Sequence, residues 1–174
     1  MKFAHALLAG AALAVAMASS AMAADLLKPA DPIYSSSLFN FEGLYVGGQA
    51  GGLLGSGGGA GTAGIVVGAN FAVTDGILAG VEFQGDTLWD GGGFAGFSAL
   101  GLARVGGYLS DNTVLYGDLG TGFQNGTAVY AIGGGVEYAL TGQLSIRGDL
   151  QGIGAWGAAP SEAKLTAGLL FHLN

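Results

Sequence analysis

The chain has 174 residues, of which 51% are hydrophobic and only 10% charged, and its formal net charge is −7. Beyond the N-terminal segment no apolar run reaches about 18 residues, which excludes a helical membrane span there, and the acidic balance excludes a nucleic-acid-binding protein. The absence of cysteine excludes a disulfide framework and thiolate metal sites.

Residues 1–23 are predicted to be a secretory signal peptide. Lys2 supplies the charged start, ALLAGAALAVAMA supplies a short apolar core, and the A-x-A pattern that follows places cleavage between Ala23 and Ala24. The alternative, an N-terminal membrane anchor, is disfavoured because the apolar core is short and is flanked by small residues. We therefore expect an exported protein.

The exported chain divides into a leader and a body of alternating runs. Residues 24–40 contain two of the three prolines and three consecutive serines, and are predicted to form an extended periplasmic leader. From residue 41 onward, apolar and polar residues alternate with the period of two that is typical of β-strands. The eight runs are 41–54, 62–73, 77–89, 94–109, 113–123, 130–140, 144–156 and 162–174.

The connections between the runs carry turn signals. The segment GSGGGAG at 55–61 is predicted to be a flexible loop, because its glycines favour no single conformation. Three-residue turns are predicted at 74–76, 110–112 and 141–143, and Asn125-Gly126 is a hairpin signal. GSGGGAG is not followed by Lys-Ser or Lys-Thr, so it is not a phosphate-binding loop.

Charge positions support this division into strands. If the residues of each three-residue turn stay unpaired, Glu137 lies opposite Arg147 in one hairpin and Arg104 lies opposite Asp118 in another. Opposite charges on facing strands are favourable, so the turn lengths and the charges predict the same register.

Every ionisable residue within runs two to eight falls on the face opposite the bulky apolar series. These residues are Glu82, Asp86, Arg104, Asp118, Glu137, Arg147, Asp149 and Lys164. Glycines share that face, where they are predicted to make room for long ion-paired side chains. A soluble lipocalin-like barrel, or a secreted sandwich, would instead require bulky apolar residues at the glycine positions. We therefore predict that residues 41–174 form an all-β, eight-stranded antiparallel up-and-down transmembrane barrel with lipid outside and charge inside.

The chain also resembles a known family. Ala24-Asp25-Leu26, the segment FEGLYVGGQAG, and GGGVEYALTG with QLSIRGDLQ are similar to the small outer-membrane β-barrel proteins of alphaproteobacteria, labelled porin-family or OmpA-like. The resemblance spans the mature chain. It implies a location in the outer membrane, periplasmic termini, and a structural, envelope-stabilising or surface-antigen role. Two features depart from the family pattern, since the chain ends on Asn174 rather than on an aromatic residue and its surface loops are short.

Three functions are compatible with this reading. The lumen charges are expected to pack as salt bridges that close a structural barrel, because eight strands enclose only enough space for their own side chains. A narrow channel for ions or very small solutes, lined by the same charges, is the alternative. The third alternative, a lipid A-modifying enzyme, would need a His or Ser constellation at the loop end, whereas His172 is predicted to lie at the periplasmic rim.

The sequence indicates no catalytic, cofactor-binding or metal-binding residue, and no cofactor is expected. The expected partners are the outer-membrane lipid bilayer, lipopolysaccharide and the outer-membrane assembly machinery. The sequence indicates no oligomeric state.

Overall fold

The computed structural model describes residues 39–55 and 58–173 of the chain. The predicted signal peptide, its cleavage position between Ala23 and Ala24, and residues 24–38 of the predicted leader lie outside the described residues. Asn174 lies outside them as well. Within the two described ranges, no helix is long and apolar enough to cross a membrane.

The described chain forms eight β-strands that close into one ring. Each strand pairs antiparallel with the next, and β8 pairs with β1. The strands are β1 (Gly43–Gly55), β2 (Gly58–Thr74), β3 (Ile77–Asp90), β4 (Gly93–Ser110), β5 (Thr113–Gln124), β6 (Thr127–Ala139), β7 (Leu144–Ala155) and β8 (Glu162–His172). Closure leaves no unpaired sheet edge. The predicted eight-stranded antiparallel up-and-down barrel is confirmed.

The strands match the predicted runs to within two residues at each end, except that β6 begins three residues earlier than predicted, at Thr127, and β2 begins four residues earlier, at Gly58. GSGGGAG was predicted to be a loop, but Gly55 pairs with Gly58, and the ladder continues through Gly61, which pairs with Gly52. The loop prediction is wrong for residues 58–61. Glycine removes the side-chain signal of a strand but keeps its backbone donor and acceptor, and strand pairing satisfies those groups.

Turn geometry also differs in detail from the predicted three-residue turns. Ser110 pairs with Thr113, so this connection has two residues, and the register shifts between Tyr108 and Ser110. A corresponding shift lies beside the turn of the β2–β3 hairpin. The Asn125-Gly126 signal is confirmed, since these residues have φ angles of 49° and 81°, the left-handed conformation that a tight hairpin turn requires.

The predicted strand register is confirmed in both hairpins where charges were used to derive it. Arg104 pairs with Asp118 across β4 and β5, and Glu137 pairs with Arg147 across β6 and β7. The shift beside the β4–β5 turn absorbs one residue, as a β-bulge does, so the pairing beyond it follows the predicted count.

The two ends of the barrel are distinguished by their connections. We call the end with the turns at 75–76, 111–112 and 141–143, where β1 begins and β8 ends, the lower end. The upper end carries the turns at 91–92 and 125–126 and the connection at 156–161. Large apolar side chains cover the outside of the wall, and examples with about half or more of their surface exposed are Ile65, Phe71, Phe83, Leu115, Leu119, Ile132, Leu150, Leu165 and Leu169. The barrel is therefore apolar outside.

The interior is not uniformly polar. Most of the apolar side chains that the alternation places inward gather near each end, a feature that the sequence prediction missed, and a smaller cluster consists of Tyr45, Val66 and Leu170. The upper cluster consists of Leu53, Leu88, Leu100, Leu102, Val129, Ala131 and Ile153. The lower cluster consists of Phe39, Phe41, Leu78, Val114, Tyr116 and Ala139, with Tyr108 packed against it. Between the upper and lower clusters lie the charged side chains.

Candidate functional site in the barrel lumen

The eight predicted lumen residues all lie inside the barrel. Glu82, Asp86, Arg104, Asp118, Glu137, Arg147, Asp149 and Lys164 each expose 7% or less of their surface. They reach the interior because strand residues at alternate positions point to the same face. Charges as strongly buried as these must be compensated by partners or hydrogen bonds.

Glu82 on β3 is the centre of the ionic network. Its Oε2 lies 2.8 Å from Nη1 of Arg104 and 2.6 Å from Nη1 of Arg147. The Tyr45 hydroxyl donates to the same oxygen at 2.6 Å, and Gln84 Nε2 donates to Oε1 at 2.8 Å. One carboxylate thus joins β1, β3, β4 and β7 across the lumen.

The two arginines are held by aromatic and acidic groups as well. The Arg104 guanidinium lies 3.8 Å from the centre of the Tyr116 ring, within cation–π range. Tyr116 in turn donates its hydroxyl to Asp149, whose Oδ2 lies 2.9 Å from Nε of Arg147. Tyrosine hydroxyls therefore link the charges into one continuous network.

A second group of polar contacts lies above Glu82. Lys164 Nζ is 2.5 Å from Asp86 Oδ2 and donates to Gln84 Oε1 at 2.9 Å, while Gln49 Nε2 donates to Asp86 Oδ1 at 2.8 Å. Asp118 accepts hydrogen bonds from Gln151 Nε2 at 3.2 and 3.3 Å. The polar region therefore extends up to the base of the upper cluster.

The predicted ion pairs Glu137–Arg147 and Arg104–Asp118 are both wrong, although the predicted register is right. Arg104 pairs instead with Glu82 and Glu137, and Asp118 takes part in none of the ion pairs found among the described residues. Among the described residues, the ion pairs of Arg147 are to Glu82 and Asp149, and those of Glu137 are to Arg104, at 3.5 Å, and to His172. The lumen is narrow, so long side chains reach acids on non-neighbouring strands as easily as the residue directly opposite. Register specifies which backbones are adjacent but not which charges pair.

His172 was predicted to lie at the periplasmic rim; it is the last residue of β8, at the lower end, but it is buried inside the barrel instead of lying on the rim. Its side chain is fully buried, with Nε2 2.9 Å from Glu137 Oε1 and 3.3 Å from Ser145 Oγ. The Ser145 hydroxyl donates to the same glutamate at 2.7 Å. This is not a nucleophile relay, because Ser145 and Glu137 both meet the same ring nitrogen while Nδ1 has no hydrogen-bond partner in the described part of the chain.

Two inward glycines provide space for the tyrosines of the network. A Cβ on Gly68 would overlap the Tyr45 ring, and a Cβ on Gly135 would overlap the Tyr116 ring. The prediction that lumen glycines make room for long side chains thus applies here to tyrosines. Their inward parity was visible in the sequence, but nothing in the alternation indicated that their hydroxyls bind the carboxylates.

Metal binding has little support in the lumen. No group of three or more His, Cys, Asp or Glu side chains with the geometry of a metal site occurs among the described residues. The acids are instead directed at arginine, lysine, tyrosine and glutamine.

Comparison with known proteins yields structural neighbours only. No protein-family model matches the chain, and no curated protein matches it. A de novo designed transmembrane β-barrel matches 76% of this chain and 98% of its own, with a TM-score of 0.50 and 17% sequence identity. Neisserial surface protein A, NspA, matches with a TM-score of 0.42 and 12% identity, over 75% of this chain and 96% of its own. At 17% identity, the likeness to the designed barrel establishes the fold alone.

The pairing found in the lumen can be tested by double-mutant cycles. We expect Arg147→Met to lower the free energy of unfolding by about 3–5 kcal/mol, because it leaves Glu82 buried with one cation fewer. The coupling energy between Arg147→Met and Glu82→Gln should exceed that between Arg147→Met and Glu137→Gln by about 1 kcal/mol or more, because Glu137 is linked to Arg147 only indirectly, through Arg104 and Glu82. Reversible urea unfolding in lipid vesicles measures both, and a larger coupling to Glu137 would contradict the assignment.

The role of Gly68 gives a second prediction. Gly68→Ala should destabilise the barrel by about 1–3 kcal/mol, because the added methyl group overlaps a tyrosine ring that its hydrogen bonds hold in place. Gly48→Ala is the matched control: Gly48 is exposed, the nearest atom to its Cβ would be 3.8 Å away, and the change should stay within about 0.5 kcal/mol. In a protein that already carries Tyr45→Ala, the Gly68→Ala substitution should no longer destabilise the barrel; a persisting destabilisation would refute the overlap.

Proposed function

We propose that the protein is a bacterial outer-membrane β-barrel with a closed lumen and a structural, envelope-integrity role. The outside of the wall supports membrane insertion, since large apolar side chains there are exposed while the charged side chains away from the strand ends are buried inside. A soluble barrel has the opposite distribution. Strands of 11 to 18 residues are long enough for the roughly 9–11 residues that a tilted strand needs to cross the hydrocarbon layer.

The outer membrane is favoured over other membranes by the combination of features. The predicted signal peptide would export the chain. Because the rest of the chain has no apolar run long enough for a membrane-spanning helix, it can pass through the inner membrane. A closed strand ladder pairs the backbone donors and acceptors of neighbouring strands and leaves no open sheet edge, as lipid requires. The similarity to a designed transmembrane barrel agrees with this placement.

The observation that carries the closed-lumen proposal is the filling of the interior. The ionic network around Glu82 occupies the middle, the upper cluster covers it from above, and the lower cluster covers it from below. An ion entering from either end would have to leave water for an apolar layer, at a cost of several kcal/mol. The channel alternative rests on the lumen charges, but those charges are already bound to one another.

The enzymatic alternative has weaker support. Ser145, His172 and Glu137 meet at the lower end, but all three side chains are buried and the contacts do not form a relay. The upper end, which would face the outer leaflet, is lined inside by the apolar upper cluster. A non-catalytic role therefore accounts better for the geometry.

The bilayer, lipopolysaccharide and the assembly machinery remain the proposed partners. All lysine and arginine side chains in the described residues are buried, whereas Glu42, Asp75, Asp90 and Asp111 are exposed at the ends. Contact with lipopolysaccharide would therefore use its acyl chains, along the apolar wall, rather than basic residues against its phosphates. Phe171, which is exposed near the end of β8, is the aromatic residue available for recognition during assembly.

Membrane insertion is tested by fractionation and gel mobility. We expect the protein in the outer-membrane fraction, and we expect unheated and boiled samples to migrate differently in detergent gels, because a closed barrel resists detergent until it is heated. Recovery of the protein in the soluble periplasm, with no difference in mobility, would contradict the proposal and favour the alternative of a soluble barrel.

Closure of the lumen is tested by planar-bilayer recording. The wild-type protein, inserted at levels verified by its gel mobility, should show no stable unitary conductance, because the network and both apolar clusters fill the lumen. Arg147→Gln serves as the matched variant. Stable unitary conductance whose size changes in this variant would show that the charges line an open path and would establish the channel alternative instead.

A further inference from the structure

A short segment at the lower end is buried although it belongs to no strand. Phe39 and Phe41 expose 2% and 1% of their surfaces, whereas β1 begins only at Gly43. Both residues adjoin or belong to the region predicted to be an extended leader. Apolar rings are buried here at the open end of a barrel, where the strand ladder itself provides no cover.

The two phenylalanine rings pack against each other and against aromatic side chains of the barrel wall. The Phe39 ring lies 4.8 Å from the His172 ring and 4.5 Å from the Phe41 ring, and Phe41 lies 5.8 Å from Tyr108 in an edge-on arrangement. These separations are those of favourable aromatic pairs. Leu78, Val114 and Ala139 complete the surroundings.

A hydrogen bond from the wall also fixes the backbone of the segment. The Asn70 side chain on β2 donates from Nδ2 to the carbonyl oxygen of Phe41 at 3.1 Å. Gly80 on the neighbouring strand allows this placement, since a Cβ there would overlap the Asn70 side chain. Asn70 is 9% exposed, so this polar group is a buried feature of the wall directed at the segment.

The segment covers the His172 ring, whose Nε2 contacts two further polar side chains, Ser145 and Glu137. His172, Ser145 and Glu137 are almost fully buried, and the His172 ring packs against both Phe39 and Phe41. Above them, Arg104 connects Glu137 to the Glu82 network. Removing the two rings would therefore expose this histidine, serine and glutamate to the solution at the lower end.

We propose that the lower mouth is a binding site for two aromatic side chains spaced two residues apart, and that the chain's own Phe39-Asn40-Phe41 fills it as a detachable plug. The plug lies outside the strand ladder, and neither the upper cluster nor the contacts around Glu82 include it. Its release opens the mouth down to His172 and Ser145 while the upper cluster keeps the barrel sealed. The plug proposal goes beyond the proposed structural role and is independent of it.

Thiol protection tests the plug in the full-length exported protein, which has no native cysteine. Ser145→Cys places a thiol behind the plug, and Ser98→Cys places a matched thiol at an inward site that is 4% exposed on β4, away from the plug. Each is combined with Phe39→Ala and Phe41→Ala. The rate of reaction with a small cationic methanethiosulfonate reagent is measured, with boiled protein giving the rate of a free thiol.

We expect the plug substitutions to raise the reaction rate at position 145 at least tenfold and to leave the rate at position 98 unchanged within twofold. The heat-dependent gel mobility should be retained. An unchanged rate at position 145 would overturn the proposal, because other groups would then seal the mouth. A parallel rise at position 98, or loss of the mobility difference, would also overturn it, because the segment would then be an integral part of the core.

Discussion

The closed ladder of backbone hydrogen bonds is the constraint on which the rest of this structure depends. Eight strands pair in a ring without a disulfide, so the wall is held by its own backbone. Once the ring is closed, the period of two sends every second side chain into a narrow lumen and every other one outward. The apolar outside, the crowded interior and the need for glycine beside large inward rings all follow from this geometry.

Inside the ring, the acids and bases meet across the lumen rather than along the wall. Glu82 accepts from two arginines and a tyrosine because all three side chains converge near the barrel axis. A buried network of this kind need not add net stability, but it does penalise any arrangement that leaves one charge unpaired. We infer that the network makes one packing of the lumen preferable to others. The apolar clusters at the two ends then keep water from competing for those contacts.

Because side chains fill the interior of the described barrel, only its outer surfaces are accessible. The surfaces that the described residues expose are the apolar wall and the two ends, where Glu42, Asp75, Asp90 and Asp111 lie. The burial of Phe39 shows that the end of the predicted leader contributes to the barrel interior. A segment outside the ladder is the part most able to open locally, because releasing it breaks no strand pairing. In the proposal made above, the lower end is therefore where the barrel changes state.

Strand number, strand register and the face of each ionisable residue were determined by the sequence itself, because alternation and turn length act locally. Arg104 opposite Asp118 could be counted from a turn, and the structure keeps that pairing. Which charges bind each other was decided only by the tertiary structure, since Glu82, Arg104 and Arg147 approach through the curvature and closure of the wall. The burial of His172 has the same origin: its cover comes from Phe39 and Phe41, at the opposite end of the described chain, and no local pattern records a contact made when a ring closes.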